Sequence, residues 1–169
     1  IRDIGVTGVQ TCALPIWLNW GDVEWIKSRW GGPLILKGIQ DVEDAKRAVD
    51  TGADALIVSN HGGRQLDGAE SSIRALPRIV DAVGSRIEVH MDGGIRSGQD
   101  VLKALALGAK GTYIGRAFNY GLGAMGEAGV TKALEIIHRE LDLTMAFCGR
   151  TQVAQVDRSI LLPGTYPTA

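Results

Sequence analysis

A histidine and an arginine three residues apart are the first residues in this chain that could do chemistry. His61 and Arg64 lie in the segment 59–64, Ser-Asn-His-Gly-Gly-Arg, directly after the apolar run Ala-Leu-Ile-Val. Histidine titrates near neutral pH and can take a proton from a substrate. Arginine can hold a carboxylate through two hydrogen bonds. The alternative is an ordinary glycine-rich turn with a surface histidine and arginine.

Two glycine- and arginine-containing segments farther along the chain predict a phosphate site. The segment 92–98, Asp-Gly-Gly-Ile-Arg-Ser-Gly, follows one apolar run, and the pair 115–116 follows the next. Successive glycine N–H groups at the start of a helix form a concavity for anions, and arginine adds positive charge. The residues concerned are Asp92, Gly93, Gly94, Arg96, Gly115 and Arg116. A pair of ordinary turn arginines is the less favoured alternative, because βα-barrels often hold phosphate between two neighbouring loops.

Lys37 is a third candidate, and its residue type alone leaves two interpretations open. It ends the apolar run 34–37, Leu-Ile-Leu-Lys, so its ammonium group would lie at the carboxyl end of a strand. A lysine there could stabilise negative charge that develops on a cofactor. It could equally be a solvated residue that begins a loop.

Short apolar runs alternate with amphipathic segments from residue 17 onward, which predicts strands alternating with helices. The predicted strands cover 34–37, 55–59, 87–91 and 112–115, and a long helix is predicted over 130–147. Asp41 is expected to cap the helix after the first strand, and Pro77 is expected to begin a new helix. Continuous apolar strands are typical of a parallel sheet buried on both faces. All the candidate residues would then meet at one edge of that sheet.

An internal similarity favours a barrel over an open doubly wound sheet, although only modestly. Residues 41–60 align with residues 97–116, so that Gly52 falls on Gly108. This offset covers two βα units, as expected if alternate units of a barrel are alike. Four strands are half of the eight that a barrel needs. The predicted fold class is therefore α/β, with half of a TIM (β/α)8 barrel and about four βα units.

Composition excludes several classes of function. The chain has 169 residues, of which 45% are hydrophobic, and a formal net charge of −1 with scattered basic residues, so no nucleic-acid partner is expected. Cys12 and Cys148 have neither metal-ligand spacing nor the density of a disulfide scaffold, and no metal site is predicted. The sequence contains no run of about 20 apolar residues and no export signal. A soluble cytoplasmic protein is the expectation.

The first sixteen residues differ from the rest of the chain. They show no periodicity, and residues 6–16, VTGVQTCALPI, resemble the translation of a sequencing-adapter oligonucleotide. We expect 1–16 to be non-native, with a divergent loop as the alternative, and we assign Cys12 no function. The predicted domain organisation is this segment, a half-barrel over 17–150, and a tail over 151–169.

Four segments together resemble the FMN-dependent α-hydroxy-acid dehydrogenases and oxidases, the family of L-lactate dehydrogenase and glycolate oxidase. They are LILKGI, ALIVSNHGGRQLDG, MDGGIRSGQDVLKALALGA and YIGRAF, and the resemblance extends from about Trp20 to Arg150. It implies that the chain is the C-terminal half of the barrel. It also implies that the N-terminal half, which supplies one wall of the flavin site and part of the substrate pocket, is absent from this sequence.

The resemblance implies a role for each motif. His61 corresponds to the active-site base, which also lies at the cofactor, and Arg64 to the residue that binds the substrate carboxylate. Lys37 corresponds to the lysine near N1 and the C2 carbonyl of the flavin, and Ser59 to a further flavin contact. The residues implied to hold the ribityl chain and phosphate of FMN are Asp92, Gly93, Gly94, Arg96, Gly115 and Arg116.

The reaction implied is oxidation of an L-2-hydroxy acid, such as L-lactate, to the 2-oxo acid with FMN. The final electron acceptor is left open among oxygen, a quinone and a cytochrome. The full-length protein is expected to be a homo-oligomer that is cytoplasmic or peripheral at the inner membrane, and the chain alone is expected to be inactive. Two alternatives are another FMN- or phosphate-binding TIM barrel, such as an IMP dehydrogenase-like protein, and a non-catalytic phosphate-binding half-barrel that dimerises.

Overall fold

The computed structural model describes residues 18–166, in which strands and helices alternate along the chain. The predicted non-native segment 1–16, with Cys12, lies outside the described residues. The elements are α1 (Trp20–Trp30), β1 (Ile35–Ile39), α2 (Val42–Asp50), β2 (Ala55–Val58), α3 (Ser72–Val83), β3 (Glu88–Asp92), α4 (Gly98–Ala106), β4 (Gly111–Tyr113) and α5 (Arg116–Phe147). A short 3₁₀ turn at His61–Gly63 lies between β2 and α3, and two more, at Val153–Gln155 and Arg158–Ile160, follow α5.

The strands form one parallel sheet in the order β1-β2-β3-β4. Leu56 of β2 pairs with Val89 of β3, and Met91 of β3 pairs with Thr112 of β4, so neighbours in sequence are neighbours in the sheet. A doubly wound sheet reverses its strand order at a switch point, whereas a barrel adds each new strand beside the last. The observed order is that of a barrel segment.

The hydrophobic core lies between one face of the sheet and helices α2 and α3. Strand side chains on that face are almost completely buried: Leu56, Val58, Val89 and Met91. They pack in one cluster with Ala48 of α2 and Leu76 and Ile79 of α3. The opposite face is more open, since Ile35 is 48% exposed and Tyr113 is 42% exposed. That face corresponds to the interior of a barrel.

Local sequence explains where the shorter helices begin and end. The Asp41 side chain accepts hydrogen bonds from the first-turn amides of α2, which confirms the predicted cap. Ser97 and Asp100 form a reciprocal capping box at the start of α4. Gly31 adopts a left-handed conformation that ends α1, because its N–H bonds back to the Lys27 carbonyl.

One helix prediction is wrong. Pro77 lies inside α3 and does not begin a new helix. Proline lacks the N–H that would bond to the preceding turn, but Pro77 is among the most deeply buried side chains, and packing keeps the helix continuous. The helix predicted over 130–147 is confirmed: α5 is interrupted at Gly126, where φ is 61° and ψ is −140°, and its second part ends at Phe147, while its first part, from Arg116, precedes the predicted start. Gly121 and Gly129 let the two parts touch backbone to backbone, a tertiary contact that overrides the low helix propensity of glycine.

The edges of this unit carry large exposed apolar side chains. Trp25 and Trp30 of α1 are 60% and 66% exposed, and Tyr120 and Phe147 of α5 are 73% and 87% exposed. Within the described sheet, β1 and β4 each have one unpaired edge. Unpaired edges and apolar patches favour association with another chain. No helix among residues 18–166 is long and apolar enough to cross a membrane.

We predict that the chain produced alone self-associates. Unpaired backbone groups along β1 and β4, together with the open inner face, would drive contacts between copies. Size-exclusion chromatography with light scattering at micromolar concentration should give a mass above that of one copy. A monodisperse monomer would contradict this prediction.

Candidate functional site

The carboxyl ends of the four strands surround one cavity of about 510 Å³. Every residue predicted from the sequence to form the site lines this cavity except Ser59. Those that line it are Lys37, His61, Arg64, Asp92, Gly93, Gly94, Arg96, Gly115 and Arg116. Ser59 is buried and contacts the cavity residues from the end of β2. The geometry therefore brings the predicted site residues together, while their individual roles remain predictions.

Lys37 is held at the rim of the cavity by two partners. Its Nζ lies 2.9 Å from Oδ2 of Asp92 and donates a hydrogen bond of 3.1 Å to Oγ of Ser59. The side chain is 42% exposed on the cavity side. Of the two interpretations that the sequence left open for Lys37, a fixed ammonium facing the site agrees with this geometry.

One carboxylate oxygen of Asp92 accepts no hydrogen bond from the described residues. Its Oδ2 is paired with Lys37, but Oδ1 is buried without a hydrogen-bond partner among the described residues. A buried carboxylate oxygen without a partner is unfavourable by about 1–3 kcal/mol. Because Asp92 lines the cavity, a hydroxyl group of a bound molecule could supply the missing hydrogen bond. This feature fits a cofactor with a polyhydroxylated chain.

The histidine of the site sits on a tight turn against β1. His61 has a φ of 55°, and its N–H donates to Oγ of Ser59 at 3.1 Å. Gly38 makes room for the imidazole, because a Cβ there would lie 2.6 Å from Cε1 of His61. Gly38 also lies at the bulge in β1. The ring is thereby packed against the strand end and directed at the cavity.

Backbone amides at the start of α4 are bonded to carboxylates of the protein itself. The N–H of Gly98 donates to Oε2 of Glu140 at 3.0 Å, and the amides of Arg96 and Ser97 both donate to Oδ2 of Asp100 at 3.1 Å. Carboxylates of the protein itself therefore occupy this helix end. A bound phosphate would be repelled by them rather than attracted.

The backbone amides at the start of α5 are not capped by a side chain, unlike those at the start of α4. Gly115 precedes this helix without any side-chain cap, so the first amides of α5 are available to an anion. Gly93 and Gly94 face the same cavity with φ values of 88° and 84°. The 93–96 loop and the start of α5 thus face one cavity, and the phosphate site that the sequence places there stays a prediction.

Three guanidinium groups around the cavity have no acidic partner. Among residues 18–166, Arg64, Arg96 and Arg116 form no salt bridge. Arg116 makes one hydrogen bond of 3.4 Å, to the carbonyl of Gly62. Unpaired cations in a concave site favour anionic groups such as carboxylate and phosphate.

Several lining residues were not predicted from the sequence. They are Gly62, Gln65, Ile95, Tyr113, Ile114 and Asn119. Tyr113 and Ile114 follow directly from the strand-end rule that identified Gly115, so that signal was present. Asn119 belongs to the first part of α5, before Gly126, which no sequence pattern predicted.

A parallel βα sheet with an anion-binding cavity at its carboxyl edge defines the class of cofactor-binding barrel enzymes. Residues 9–163 match the family model described as FMN-dependent dehydrogenase. The chain belongs to the FMN-dependent dehydrogenase family. The match extends beyond both ends of the region 20–150 on which the sequence resemblance was based.

Curated relatives and solved structures agree with this membership. The chain is 56% identical over 144 residues to an L-lactate dehydrogenase of Caulobacter vibrioides, covering 85% of this chain and 38% of that protein. It is 53% identical over 145 residues to an L-lactate dehydrogenase of Pseudomonas syringae pv. syringae, with coverages of 86% and 38%. A crystallised mandelate oxidase variant with the monooxide FMN adduct superimposes with a TM-score of 0.80 at 48% identity, covering 83% of this chain and 45% of that chain.

These comparisons confirm the predicted family and the predicted fold. The chain spans about two fifths of the relatives that it matches, as expected for half of a barrel. Mandelate oxidase with (S)-4-hydroxymandelic acid gives the same TM-score of 0.80. The domain boundaries at residues 16 and 150 remain predictions.

An ion pair anchors the loop that carries His61. Glu70 ends this loop, and its carboxylate is held by both Nη atoms of Arg78, at 3.2 and 2.5 Å. The carbonyl of Glu70 accepts hydrogen bonds from Gln40 at 2.7 Å and from Asn60 at 3.4 Å. The hydrogen bonds from Arg78 lower the pKa of the Glu70 carboxyl below its ordinary value.

We predict that Glu70→Gln destabilises the protein at neutral pH and has a smaller effect in acid. Because the folded-state pKa of Glu70 is lowered, its stabilisation is complete above the unfolded-state pKa of about 4.3 and is lost as pH falls through the folded-state value. Urea unfolding at pH 7 and at about pH 3 measures the difference. Glu43→Gln, which removes an exposed ion pair with Lys46 at 2.7 Å, is the control and should change little. A Glu70→Gln effect of equal size at both pH values would contradict the assignment.

Proposed function

We propose that the complete protein oxidises a small 2-hydroxy acid, such as L-lactate, to the corresponding 2-oxo acid, with FMN as its cofactor. The observation that carries the proposal is the convergence of an exposed imidazole with unpaired guanidinium groups and a fixed ammonium on one cavity. The names of its relatives, L-lactate dehydrogenase and mandelate oxidase, support this substrate class.

FMN fits the donors and acceptors of the cavity. The open amides at the start of α5, with Arg96 and Arg116, suit its phosphate. The unpartnered Oδ1 of Asp92 suits a ribityl hydroxyl, and Lys37 suits the electron-rich edge of the ring system. When bound, FMN would accept the two electrons that the substrate loses.

His61 would act as the base. Oxidation of a 2-hydroxy acid to a 2-oxo acid releases two electrons and two protons, one from the hydroxyl group and one from the α-carbon. The imidazole lines the cavity close to Lys37 and can take one of these protons. The glycine at position 38 leaves the space that Cε1 of the imidazole occupies, since a Cβ there would lie 2.6 Å from it.

Arg64 and Lys37 would each stabilise a different negative charge, Arg64 that of the substrate and Lys37 that of the cofactor. Arg64 follows His61 by one turn and has no acidic partner among residues 18–166, so its guanidinium is free to bind the substrate carboxylate. Lys37 is fixed by Asp92 and Ser59, and it would stabilise negative charge at the cofactor. The non-catalytic alternative would leave both His61 and Arg64 without a role.

The proposal extends to the complete protein. The electron acceptor of the complete protein would be oxygen, a quinone or a cytochrome. The acid that the complete protein selects would depend on the rest of the barrel. We infer that the complete protein is a homo-oligomer located in the cytoplasm or at the inner membrane surface. The exposed apolar side chains of α1 and α5 support contacts beyond this chain.

We predict that His61→Gln lowers kcat of the complete protein by about 10²- to 10⁴-fold, the usual contribution of a positioned base. Glutamine keeps a polar side chain but cannot take the proton, so flavin absorbance should be retained. Stopped-flow bleaching of the flavin by L-lactate measures the step directly. His138→Gln, at an exposed position of α5, is the matched control and should leave the rate unchanged. Retained activity in His61→Gln would favour another kind of FMN- or phosphate-binding barrel.

We predict that Arg116→Ala weakens FMN binding and spares riboflavin binding. Loss of a charged hydrogen bond to phosphate should lower the affinity for FMN by roughly 10- to 100-fold. Riboflavin lacks the phosphate and should bind both proteins equally. Titration of apoprotein followed by flavin fluorescence gives both affinities. Arg139→Ala, on the exposed side of α5, is the control. Equal weakening of both ligands would show that Arg116 does not contact the phosphate.

A further inference from the structure

The backbone of His61 is held in a conformation that histidine does not prefer. Its φ of 55° makes it the one non-glycine residue with positive φ within residues 18–166. Left-handed backbone is unfavourable for residues with a Cβ. Surrounding contacts must therefore stabilise it, and strained residues of this kind concentrate at functional sites.

Asn60, the residue before His61, supplies those contacts. Its Oδ1 accepts a hydrogen bond of 3.0 Å from the N–H of Gly62, which bridges the strained residue. Its Nδ2 donates to the carbonyl of Glu70 at 3.4 Å, and its backbone N–H donates to Oγ of Ser72 at 3.1 Å. Asn60 thus connects the His61 turn to the end of its own loop and to the first residue of α3.

The same residue also touches the loop that begins with Asp92. A Cβ on Gly93 would lie 2.9 Å from Oγ of Ser72 and 3.1 Å from Oδ1 of Asn60. Ser72 is 3% exposed and cannot move aside. Gly93 is therefore packed directly on the pair formed by Asn60 and Ser72. The residue before His61 and the 92–94 loop therefore approach each other closely at this point.

We propose that Asn60 is a positioning residue, which acts through His61 by fixing its backbone and its spacing from the 92–94 loop. This inference rests on the proposed role of His61 as the base. An asparagine suits the position because one side-chain atom must accept and the other must donate. Aspartate would keep the acceptor for Gly62 and lose the donor to Glu70. Alanine would lose both.

The test compares Asn60→Ala, Asn60→Asp and His61→Gln in the complete protein, with the double variant of Asn60→Ala and His61→Gln. Asn60→Ala should lower kcat by about 10- to 100-fold and change KM by less than about threefold, because a misplaced base slows the chemical step. Asn60→Asp should recover part of the loss. In the His61→Gln background, Asn60→Ala should lower the residual rate by less than about twofold, since the residue through which it acts is gone.

A structural readout and a matched control accompany the kinetics. Hydrogen exchange at the Gly62 amide should become faster in Asn60→Ala, since its acceptor is lost. Asn19→Ala is the control: Asn19 also accepts a backbone N–H, from Gly21 at 2.9 Å, but it caps α1 and does not line the cavity. It should leave kcat and exchange at Gly62 unchanged. If Asn60→Ala does not fold, Asn60→Asp is judged by the same comparisons.

The outcomes separate this inference from the proposed function. An equal loss of rate from Asn60→Ala in both backgrounds, or no loss in either, would overturn the positioning role and leave His61 as the base. Full activity in His61→Gln would overturn the proposed function, and the positioning role with it. Loss of rate confined to the background that contains His61, with faster exchange at Gly62, is the result expected.

Discussion

Parallel pairing of four consecutive strands is the constraint on which the site depends. Because every strand runs in the same direction, the residues that follow β1, β2, β3 and β4 all emerge at one edge of the sheet. Lys37, His61 and Asp92 are separated by many residues in sequence but meet there. A shift of one residue in the pairing would turn the Lys37 side chain to the helix-covered face and remove it from the cavity.

The charged side chains that line the cavity determine which groups it favours. The one carboxylate that faces it from a predicted site position, Asp92, is engaged by Lys37, while three guanidinium groups have no acidic partner in residues 18–166. The cavity therefore carries an excess of positive charge in a chain whose formal net charge is −1. Four of the 18 lysine and arginine side chains of the chain line this cavity, where anionic groups would bind. The carboxylates of Glu140 and Asp100 occupy the amides at the start of α4, whereas the start of α5 has no side-chain cap.

How much of the structure the sequence predicts depends on how far apart the interacting residues lie along the chain. Strand ends, the Asp41 cap and the convergence of the site residues depend on local pattern and on general properties of parallel sheets, and they were predicted. Capture of the α4 amide by Glu140 depends on a residue 42 positions away, and no local pattern indicates it. The positions of Pro77 inside α3 and of Gly121 inside the first part of α5 are not predicted from the sequence for the same reason. In both cases tertiary packing outweighs the local preference of the residue.

The inner face of this sheet would face the remaining strands in a complete barrel. Directly beneath the cavity, His90 lies 3.3 Å from Glu88 and 5.8 Å from the ring of Tyr113, and Gly111 leaves room for its imidazole. Polar groups in a closed interior need hydrogen-bond partners, so the remaining strands must supply partners or admit water. This chain provides His61, the glycine- and arginine-containing loops and the fixed ammonium of Lys37, all on one cavity. The cavity here is bounded by four strands and is open on the side where the remaining strands of a barrel would close it, so the wall that faces these residues belongs to the other half of the barrel.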